Sequence, residues 1–193
     1  MADLLLKGGC SMNFSPRTQR GFTVVEMLLV VAMIGTLAAM ALPVMKDMTA
    51  SIKLNEASRM VEREMQDARL KAVSSNRVIR VRKNCPAAGY IRSVEVLGTA
   101  ADTAGDRCSA TTYPFPAPDM DIMTRPNFDG PVRTLPAGAT VSNVVLQFSP
   151  DGTASSVVAG VATTIAAPIA VTITRESKSK TVTVNNVGKV QLQ

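Results

Sequence analysis

The sequence predicts an α+β protein in which one long N-terminal helix packs on a C-terminal, mostly antiparallel β-sheet domain. Three observations predict this fold class. Residues 22–45 form an apolar run whose only charge is Glu26. Apolar residues then recur at steps of three or four as far as Val73, which indicates that the helix continues. After Asn76 apolar and polar residues alternate, which is the period of a half-buried strand.

The composition excludes several classes of catalytic site. The chain has 193 residues, with 21 lysines and arginines against 15 aspartates and glutamates, a net charge of +6 and no histidine. Without histidine there is no Ser-His-Asp or Cys-His nucleophile pair and no histidine ligand for zinc. Three cysteines are too few for a four-thiolate metal site. No nucleotide-binding loop is visible. We therefore predict neither an enzyme nor a bound cofactor or metal.

The apolar run at residues 22–45 is long enough to span a bilayer as a helix, which takes about 20 apolar residues. The polar leader ahead of it carries Lys7, Arg17 and Arg20 against Asp3. Positive charge ahead of a span holds that end in the cytoplasm. We therefore expect a single-pass inner-membrane protein whose C-terminal domain lies in the periplasm.

Three interpretations of this span compete. It is a plain signal anchor, a secretory signal peptide with Ala39-Met40-Ala41 as its cleavage site, or a functional helix. Against the signal peptide, Pro43 follows almost at once and the helical pattern continues well past it. The third interpretation rests on Glu26, because an ionisable residue inside an apolar span is costly and is by default a functional residue.

The residues around Glu26 resemble the processing signal of a known family. A basic residue is followed by Gly21-Phe22-Thr23-Val24-Val25-Glu26 and then by the uncharged run. This resembles the class III signal of type IV pilins and pseudopilins, in which a prepilin peptidase cuts after the glycine and the new N-terminal phenylalanine is N-methylated. The resemblance implies that residues 1–21 are the leader, that cleavage follows Gly21 and that Phe22 is methylated.

The same resemblance implies that Glu26 acts in assembly. In that family the fifth residue after the cut is glutamate. A buried carboxylate needs a partner, and the free amino group of a neighbouring subunit supplies one. Other pilins or pseudopilins in a filament are then the expected partners. The family also carries a helix-loosening glycine and proline in the span, matched here by Gly35 and Pro43, and Met12 offers an alternative start that shortens the leader.

Residues 46–75 are predicted to continue the helix into the globular domain. Lys46 ends the uncharged run, but helical spacing persists until Ser74-Ser75-Asn76 interrupts it. Mixed charges on the other faces predict a solvated surface. One apolar stripe recurs at steps of three or four and is expected to pack on the domain, and it consists of Ala50, Leu54, Ala57, Val61, Met65, Ala68 and Ala72.

Residues 76–193 are predicted to form the β-rich domain. Valine and isoleucine alternate with threonine and lysine, so we expect one face of the sheet to be wet. Residues 98–138 hold many prolines and few apolar runs, and we predict a long irregular insertion there. Strands are predicted at residues 77–83, 90–97, 144–148, 165–174, 181–184 and 187–192, with turns at 149–152 and 176–179.

This order of elements resembles the H-type pseudopilins of type II secretion and the related FimT-like minor pilins. Phe148-Ser149-Pro150-Asp151-Gly152 resembles their F-x-P-x-G hairpin. Thr183–Val190 resembles their closing strands, with Lys189 where that family carries arginine. The resemblance implies the pilin fold and a structural subunit of a type II secretion pseudopilus or a type IV pilus.

A DNA receptor for natural transformation is the alternative function. FimT-like pilins bind DNA through a C-terminal G-R-x-R motif, and this chain has Gly188-Lys189-Val190-Gln191. Glutamine at the second arginine position weakens that reading, because phosphate contacts rely on cations, and cations on a wet sheet face mostly aid solubility. The candidate DNA-binding residues are Arg175, Lys178, Lys180 and Lys189, with a second basic group at Arg77, Arg80, Arg82, Lys83 and Arg92.

Two cysteines remain once the leader, which contains Cys10, is removed. Cys85 and Cys108 form an even pair in an oxidising compartment, which favours a disulfide. Such a bridge contributes about 3 kcal/mol in the chain-entropy model. Two unpaired thiols in surface loops are the alternative.

Three acidic residues of the insertion are candidate ligands for calcium. Asp119, Asp121 and Asp129 lack the spacing of a calcium-binding loop, and Arg125 lies among them. We therefore expect these carboxylates to be solvated and to bind no metal.

Overall fold

The computed structural model describes residues 21–117 and 126–193. One long helix, α1, spans Val24–Ser75 and precedes the strands. The chain divides into two compact units, one ending at Pro43 and one beginning at Val44, and each is described by itself. The strands are β1 (Ile79–Lys83), β2 (Tyr90–Glu95), β3 (Arg133–Thr134), β4 (Ala139–Val141), β5 (Val145–Phe148), β6 (Ala154–Val158), β7 (Val161–Thr164), β8 (Ile169–Arg175), β9 (Lys178–Val184) and β10 (Val190–Leu192).

The first unit contains the predicted span. Its described residues are exposed throughout, from Gly21 to Pro43, and α1 begins within it at Val24. By length and composition this helix could cross a membrane. Pro43 lies inside the helix and has no N–H, so the carbonyl of Ala39 lacks its usual helical donor.

In the second unit α1 buries the predicted apolar stripe. Every residue of the stripe, from Ala50 to Ala72, is at most 3% exposed, which confirms the prediction. Two polar residues that the pattern did not include are buried beside it. The Ser58 hydroxyl donates to the Leu54 carbonyl at 2.7 Å, and the Glu64 carboxylate accepts from the Arg133 guanidinium at 2.7 Å.

The helix ends in a left-handed residue. Asn76 has φ 53°, a conformation that asparagine tolerates better than most residues do. The Arg77 N–H then turns back and donates to the Ala72 carbonyl at 3.2 Å, which satisfies one of the last free carbonyls of the helix. The break predicted at Ser74-Ser75-Asn76 is therefore a capped helix end.

The strands form two antiparallel sheets that share one core with α1. The six-stranded sheet has the order β3-β2-β1-β5-β6-β7, and the four-stranded sheet has the order β10-β9-β8-β4. The first sheet contributes four fully buried residues to this core, Ile79 and Val81 of β1 and Leu146 and Phe148 of β5. The second sheet contributes Val171, Ile173, Val182 and Val184. The α+β class with mostly antiparallel pairing is thus confirmed.

The strand pattern was incomplete in the weakly apolar regions. β7 was not predicted, and β6 was implied only as the second strand of the hairpin at residues 149–152, without bounds, because the serine, threonine and alanine residues of both strands give no strong alternation. β3 lies inside the predicted insertion and β4 at its end. The turn predicted at residues 176–179 is shorter, since Lys178 already belongs to β9.

Candidate functional site

The start of α1 brings together the residues predicted to act in processing and assembly. Gly21 and Phe22 precede the first helical residue and are exposed, so their shared peptide bond lies outside the helical hydrogen-bond pattern. The Thr23 hydroxyl accepts a hydrogen bond from the Glu26 N–H at 3.2 Å. Thr23 is therefore the N-cap of the helix, and Glu26 stands three residues later.

Thr23-Val24-Val25-Glu26 has the spacing of a capping box. This spacing places the Glu26 carboxylate in the first turn, where the helix dipole favours negative charge. The predicted role of Glu26 is in assembly, and its favourable position in the first turn of the helix was not part of that prediction. A role in capping the helix and a role in binding a neighbouring subunit predict different effects of mutation, which allows an experiment to separate them.

The N-terminal segment of the chain is similar to segments of known proteins. The prokaryotic N-terminal methylation motif matches residues 16–42. This chain is type IV pilin-like. Over 44 residues it is 46% identical to the type IV major pilin protein PilE of Neisseria gonorrhoeae, which is 23% of this chain and 26% of that pilin. The fimbrial protein of Neisseria meningitidis serogroup B matches with the same identity over the same share. The match thus spans about a quarter of the length of these relatives.

Two solved structures resemble the pilin-like chain over most of its length. The type IV minor pilin FimU of Pseudomonas aeruginosa has a TM-score of 0.45 and 16% sequence identity, covering 76% of this chain and 92% of FimU. The minor pseudopilin EpsH from the type 2 secretion system of Vibrio cholerae has a TM-score of 0.43 and 14% identity, covering 73% of this chain and 96% of EpsH.

The four C-terminal candidate cations do not form one patch in the pilin-like chain. The Lys178 ammonium donates to the Asp47 carbonyl at 3.0 Å and to the Ser51 hydroxyl at 2.8 Å, which ties the start of β9 to α1. The Arg175 guanidinium donates to the Ala137 carbonyl and lies 3.7 Å from the Glu176 carboxylate. Both side chains are therefore engaged within the domain.

The remaining two cations, Lys180 and Lys189, lie toward opposite ends of β9. Lys180 is half-buried on the face of β9 that also carries Val182. Lys189 is exposed beyond the other end of β9, where its carbonyl accepts from the Asn185 N–H at 3.2 Å. The structure thus brings Arg175, Lys178 and Lys180 to one end of the β8–β9 hairpin, where Arg175 pairs with Lys178, and leaves Lys189 at the other end of β9.

The second basic group was expected on a wet sheet face, and this expectation was wrong for most of its members. Arg80 and Lys83 are 5% exposed and Arg92 is 0% exposed. Arg80 donates to the Gln147 side chain at 2.9 Å, and Arg82 donates to the Ala104 carbonyl at 2.8 Å. Burial lowers the pKa of each of these arginines. Such side chains are structural, because their donors are used inside the protein.

Lys83 is the most unusual of these cations. Its ammonium reaches the Val144 carbonyl. Burial lowers the pKa of Lys83 to about 7, because the charged form loses its hydration. Period-two alternation places Lys83 on the same face of β1 as the buried Ile79 and Val81, and the chain around Val144 covers its side chain.

The described part of the predicted insertion is held by a buried charge cluster. Arg107 is fully buried and donates to both Asp129 carboxylate oxygens, at 3.1 and 2.8 Å. Asp129 also accepts from the Glu95 N–H at 2.8 Å. Arg92 donates to the Gly130 carbonyl at 2.9 Å and to the Tyr113 carbonyl at 2.6 Å. The cluster fastens both parts of this region to β2.

This cluster corrects the expectation that Asp129 is solvated. No sequence signal identified it, since its members are far apart in the chain and each occurs in polar sequence. Asp119, Asp121 and Arg125 lie outside the described residues. Within residues 21–117 and 126–193, no group of three or more histidine, cysteine, aspartate or glutamate side chains is arranged to hold a metal ion.

The sulfur atoms of Cys85 and Cys108 are joined in the structure, with their Cα atoms 5.0 Å apart. Cα atoms of natural disulfides lie at such distances. Both residues are buried, at 1% and 4% exposure. Cys108 follows Arg107 directly, so the covalent link and the charge cluster hold the same turn, Gly105–Cys108.

The two motifs from the C-terminal resemblance meet on α1. The Arg69 guanidinium donates to the Gly152 carbonyl at 3.1 Å, in the turn between β5 and β6. Gly188, in the turn between β9 and β10, packs against the same two groups. The hairpin and the closing strands are separate in sequence, and Arg69 of α1 contacts both of them.

Proposed function

We propose that this pilin-like chain is a minor pilin or pseudopilin, a structural subunit of a type II secretion pseudopilus or a type IV pilus, and not an enzyme. A prepilin peptidase cuts after Gly21, Phe22 is N-methylated, and the N-terminal helix inserts the subunit into a filament. The observation that carries the proposal is Glu26, the single charge in the exposed apolar segment that directly follows Gly21-Phe22-Thr23.

The position of the Gly21-Phe22 bond supports the processing step. A peptidase needs an extended backbone, and both residues precede the helix and are exposed. After cleavage the amino group of Phe22 is a new positive charge at the start of the helix. Glu26 stands one turn away in its own chain, and in a filament it meets the amino group of a neighbour instead.

We expect the subunit to be inserted in the inner membrane before it enters the filament. The apolar helix is long enough to cross the bilayer and is exposed along its described length in the first unit. The second unit, Val44–Gln193, then lies in the periplasm, and the inner membrane holds the subunit until it enters the filament. There the apolar side chains pass from lipid into the packed helices of neighbouring subunits, and Glu26 needs its partner.

The test compares two variants at the helix start in cells that assemble the filament. Glu26→Gln removes the charge and keeps the shape of the side chain. Thr23→Ala removes the cap and keeps the charge. We expect Glu26→Gln to be processed and retained in membranes but to disappear from sheared filaments, while Thr23→Ala still enters them. Equal incorporation of Glu26→Gln and the unmodified chain would overturn the proposal.

A second arm tests processing separately. Gly21→Ala blocks cleavage, because the peptidase reads the glycine before the cut. We expect this variant to keep the leader, with a larger intact mass and an unmethylated N-terminus. A processed and methylated Gly21→Ala protein would show that the cleavage site lies elsewhere.

A further inference from the structure

The outer strand of the six-stranded sheet is open to another chain. β7 pairs only with β6 among the described strands, and it ends the strand order. All four of its residues, Val161–Thr164, are exposed. The flanking Val158 is 68% exposed and Val161 is 64% exposed, which is unusual for valine.

The register of the hairpin identifies the backbone groups that point outward. Val158 pairs with Val161 across the two-residue turn Ala159-Gly160, so this pair exchanges hydrogen bonds. Hydrogen-bonded and non-bonded pairs alternate along an antiparallel ladder. The N–H and C=O of Ala162 and Thr164 therefore face away from β6. None of these groups takes part in another backbone hydrogen bond within the described part of the chain.

The edge lacks the devices that block pairing between sheets. Natural edge strands carry lysine, proline or a bulge. Here no charged residue occurs from Gly152 to Thr174, and β7 has neither proline nor a bulge. The turn even keeps an apolar residue in the left-handed region, since Ala159 has φ 50°. Asparagine would fit that position with less strain and would make the tip polar.

We propose that β7 pairs antiparallel with β7 of a second copy of this chain, centred on Thr163. In this register Ala162 of each copy lies opposite Thr164 of the other. Each of these residues then has its outward N–H and C=O bonded, because the two donors and two acceptors on each edge match those of the second copy. The two sheets become one continuous sheet across the pair.

Side chains in this register are compatible as well. Val161 of each copy lies opposite Ile165 of the other, whose side chain is buried in its own core, and Gly160 lies opposite Ala166, so no polar or charged side chain faces the apolar tip. No like charges are opposed, since both edges are uncharged. An edge of four residues buries far less than the roughly 1,200 Å² of a stable interface in solution. Anchoring in one membrane supplies the missing association by raising the effective concentration.

The inference needs an anchored chain but does not depend on cleavage at Gly21 or on filament entry. The test is therefore made with the full chain in membranes of cells that lack a prepilin peptidase. In a Cys10→Ser background, single cysteines are introduced at Thr163, Ala162 or Thr164, and the membranes are oxidised. An exposed loop position, Val187→Cys, reports random collisions.

We expect Thr163→Cys to form a dimer at about ten times the level of Ala162→Cys or Val187→Cys, because only position 163 faces itself across the pair. Ala162→Cys and Thr164→Cys are expected to cross-link with each other when co-expressed. Adding Ala162→Pro to Thr163→Cys removes one outward donor without touching the β6 ladder, and we expect the dimer to be lost. Resistance of this double variant to mild trypsin shows that it is folded.

Equal cross-linking at all positions, or no dimer with Thr163→Cys, would overturn the proposal. A Thr163→Cys product that joins a different membrane protein would also overturn it, and would assign the edge to a strand of that protein. A failure of these cross-links together with normal filament incorporation would leave the proposed function intact.

Discussion

The carbonyl oxygen of Gly152 lies only 2.1 Å from the position that a Cβ atom on Gly188 would occupy. The Arg69 guanidinium nitrogen Nε lies 2.8 Å from that same position. Gly188 has φ 71° and Gly152 has φ 82°, so both backbones are in the left-handed region. The close approach allows α1, the β5–β6 turn and the β9–β10 turn to meet, which explains why both turns contain glycine.

The first prediction concerns this junction. Gly188→Ala introduces both left-handed strain and a clash with backbone, so we expect a loss of about 3 kcal/mol or more in the free energy of unfolding. Gly98→Ala is the matched control, because Gly98 also has positive φ, at 74°, but has nothing within 4 Å of its added Cβ. Gly98→Ala should cost about 1–2 kcal/mol. Pulse proteolysis of the detergent-solubilised chain measures both, and equal losses would show that the clash is relieved.

The second prediction concerns the buried charge cluster. Asp129→Ala leaves the fully buried Arg107 guanidinium without its main partner, and breaking a buried pair in this way costs about 3–5 kcal/mol. Asp106→Ala, at an exposed position of the same region, should change stability by less than about 0.5 kcal/mol. The same proteolysis assay compares them. A small effect of Asp129→Ala would mean that water or a neighbouring carboxylate replaces the lost oxygens.

The helix and the class of fold could be predicted from sequence because long periodic patterns report burial directly. The stripe from Ala50 to Ala72 is one such pattern, and the valines and isoleucines of β8 and β9 are another. The cluster of Arg92, Arg107 and Asp129 could not be predicted in this way. Its burial depends on which loops cover β2, and isolated charges in polar sequence carry no periodicity that would indicate it.

Some residues of the candidate site could likewise be predicted from sequence, and others could not. Gly21, Phe22 and Glu26, which we propose act in processing and assembly, lie in one short segment, so their spacing in sequence is also their spacing in space. The cations from Arg175 to Lys189 depend on the fold, because strand register decides which side chains meet. The turn has only two residues, Glu176 and Ser177, so Lys178 belongs to β9 and its side chain contacts α1. The predicted turn was longer and included Lys178, so this contact could not be predicted.

The third prediction concerns pH. The pKa of Lys83 is about 7 in the folded protein, against about 10.4 in an unfolded chain. Between these values the unfolded chain binds a proton that the folded chain does not, so lowering the pH favours unfolding. The free energy of unfolding should therefore rise by up to about 1.4 kcal/mol per pH unit above pH 7. Below pH 7 the titration of Lys83 should change it little.

Lys83→Met removes that dependence. We expect the variant to be more stable than the unmodified chain at pH 7 and to show a flatter rise in stability between pH 7 and pH 9. Lys189→Met, at an exposed position, is the control and should keep the original slope. Identical slopes for Lys83→Met and the unmodified chain would show that Lys83 does not titrate in this range.

The fourth prediction concerns the cysteines. If Cys85 and Cys108 are bridged, the intact mass of the purified, unreduced chain is lower than that of the reduced chain by two hydrogens. In a Cys10→Ser background no thiol should then react with an alkylating reagent before reduction. Reduction should also make the Gly105–Cys108 turn more sensitive to protease, because the bridge closes the loop that contains it. Two alkylatable thiols in fresh, unreduced protein would show that the bridge is absent.

The last prediction separates assembly from DNA uptake. Arg175 and Lys178 are occupied by contacts within the domain, so Lys180 and Lys189 are the C-terminal candidates left to contact phosphate. Two phosphate contacts give a slope of only about −2 in a plot of log affinity against log salt. We therefore expect duplex DNA to bind only at very low salt. Removing Lys180 and Lys189 together by alanine substitution should change this weak binding no more than removing Arg59 and Arg63, which are exposed on α1. Tight binding at physiological salt that is lost only in the Lys180 and Lys189 variant would make DNA reception the better account, because a specific pair of cations would then outweigh the general positive charge of the chain.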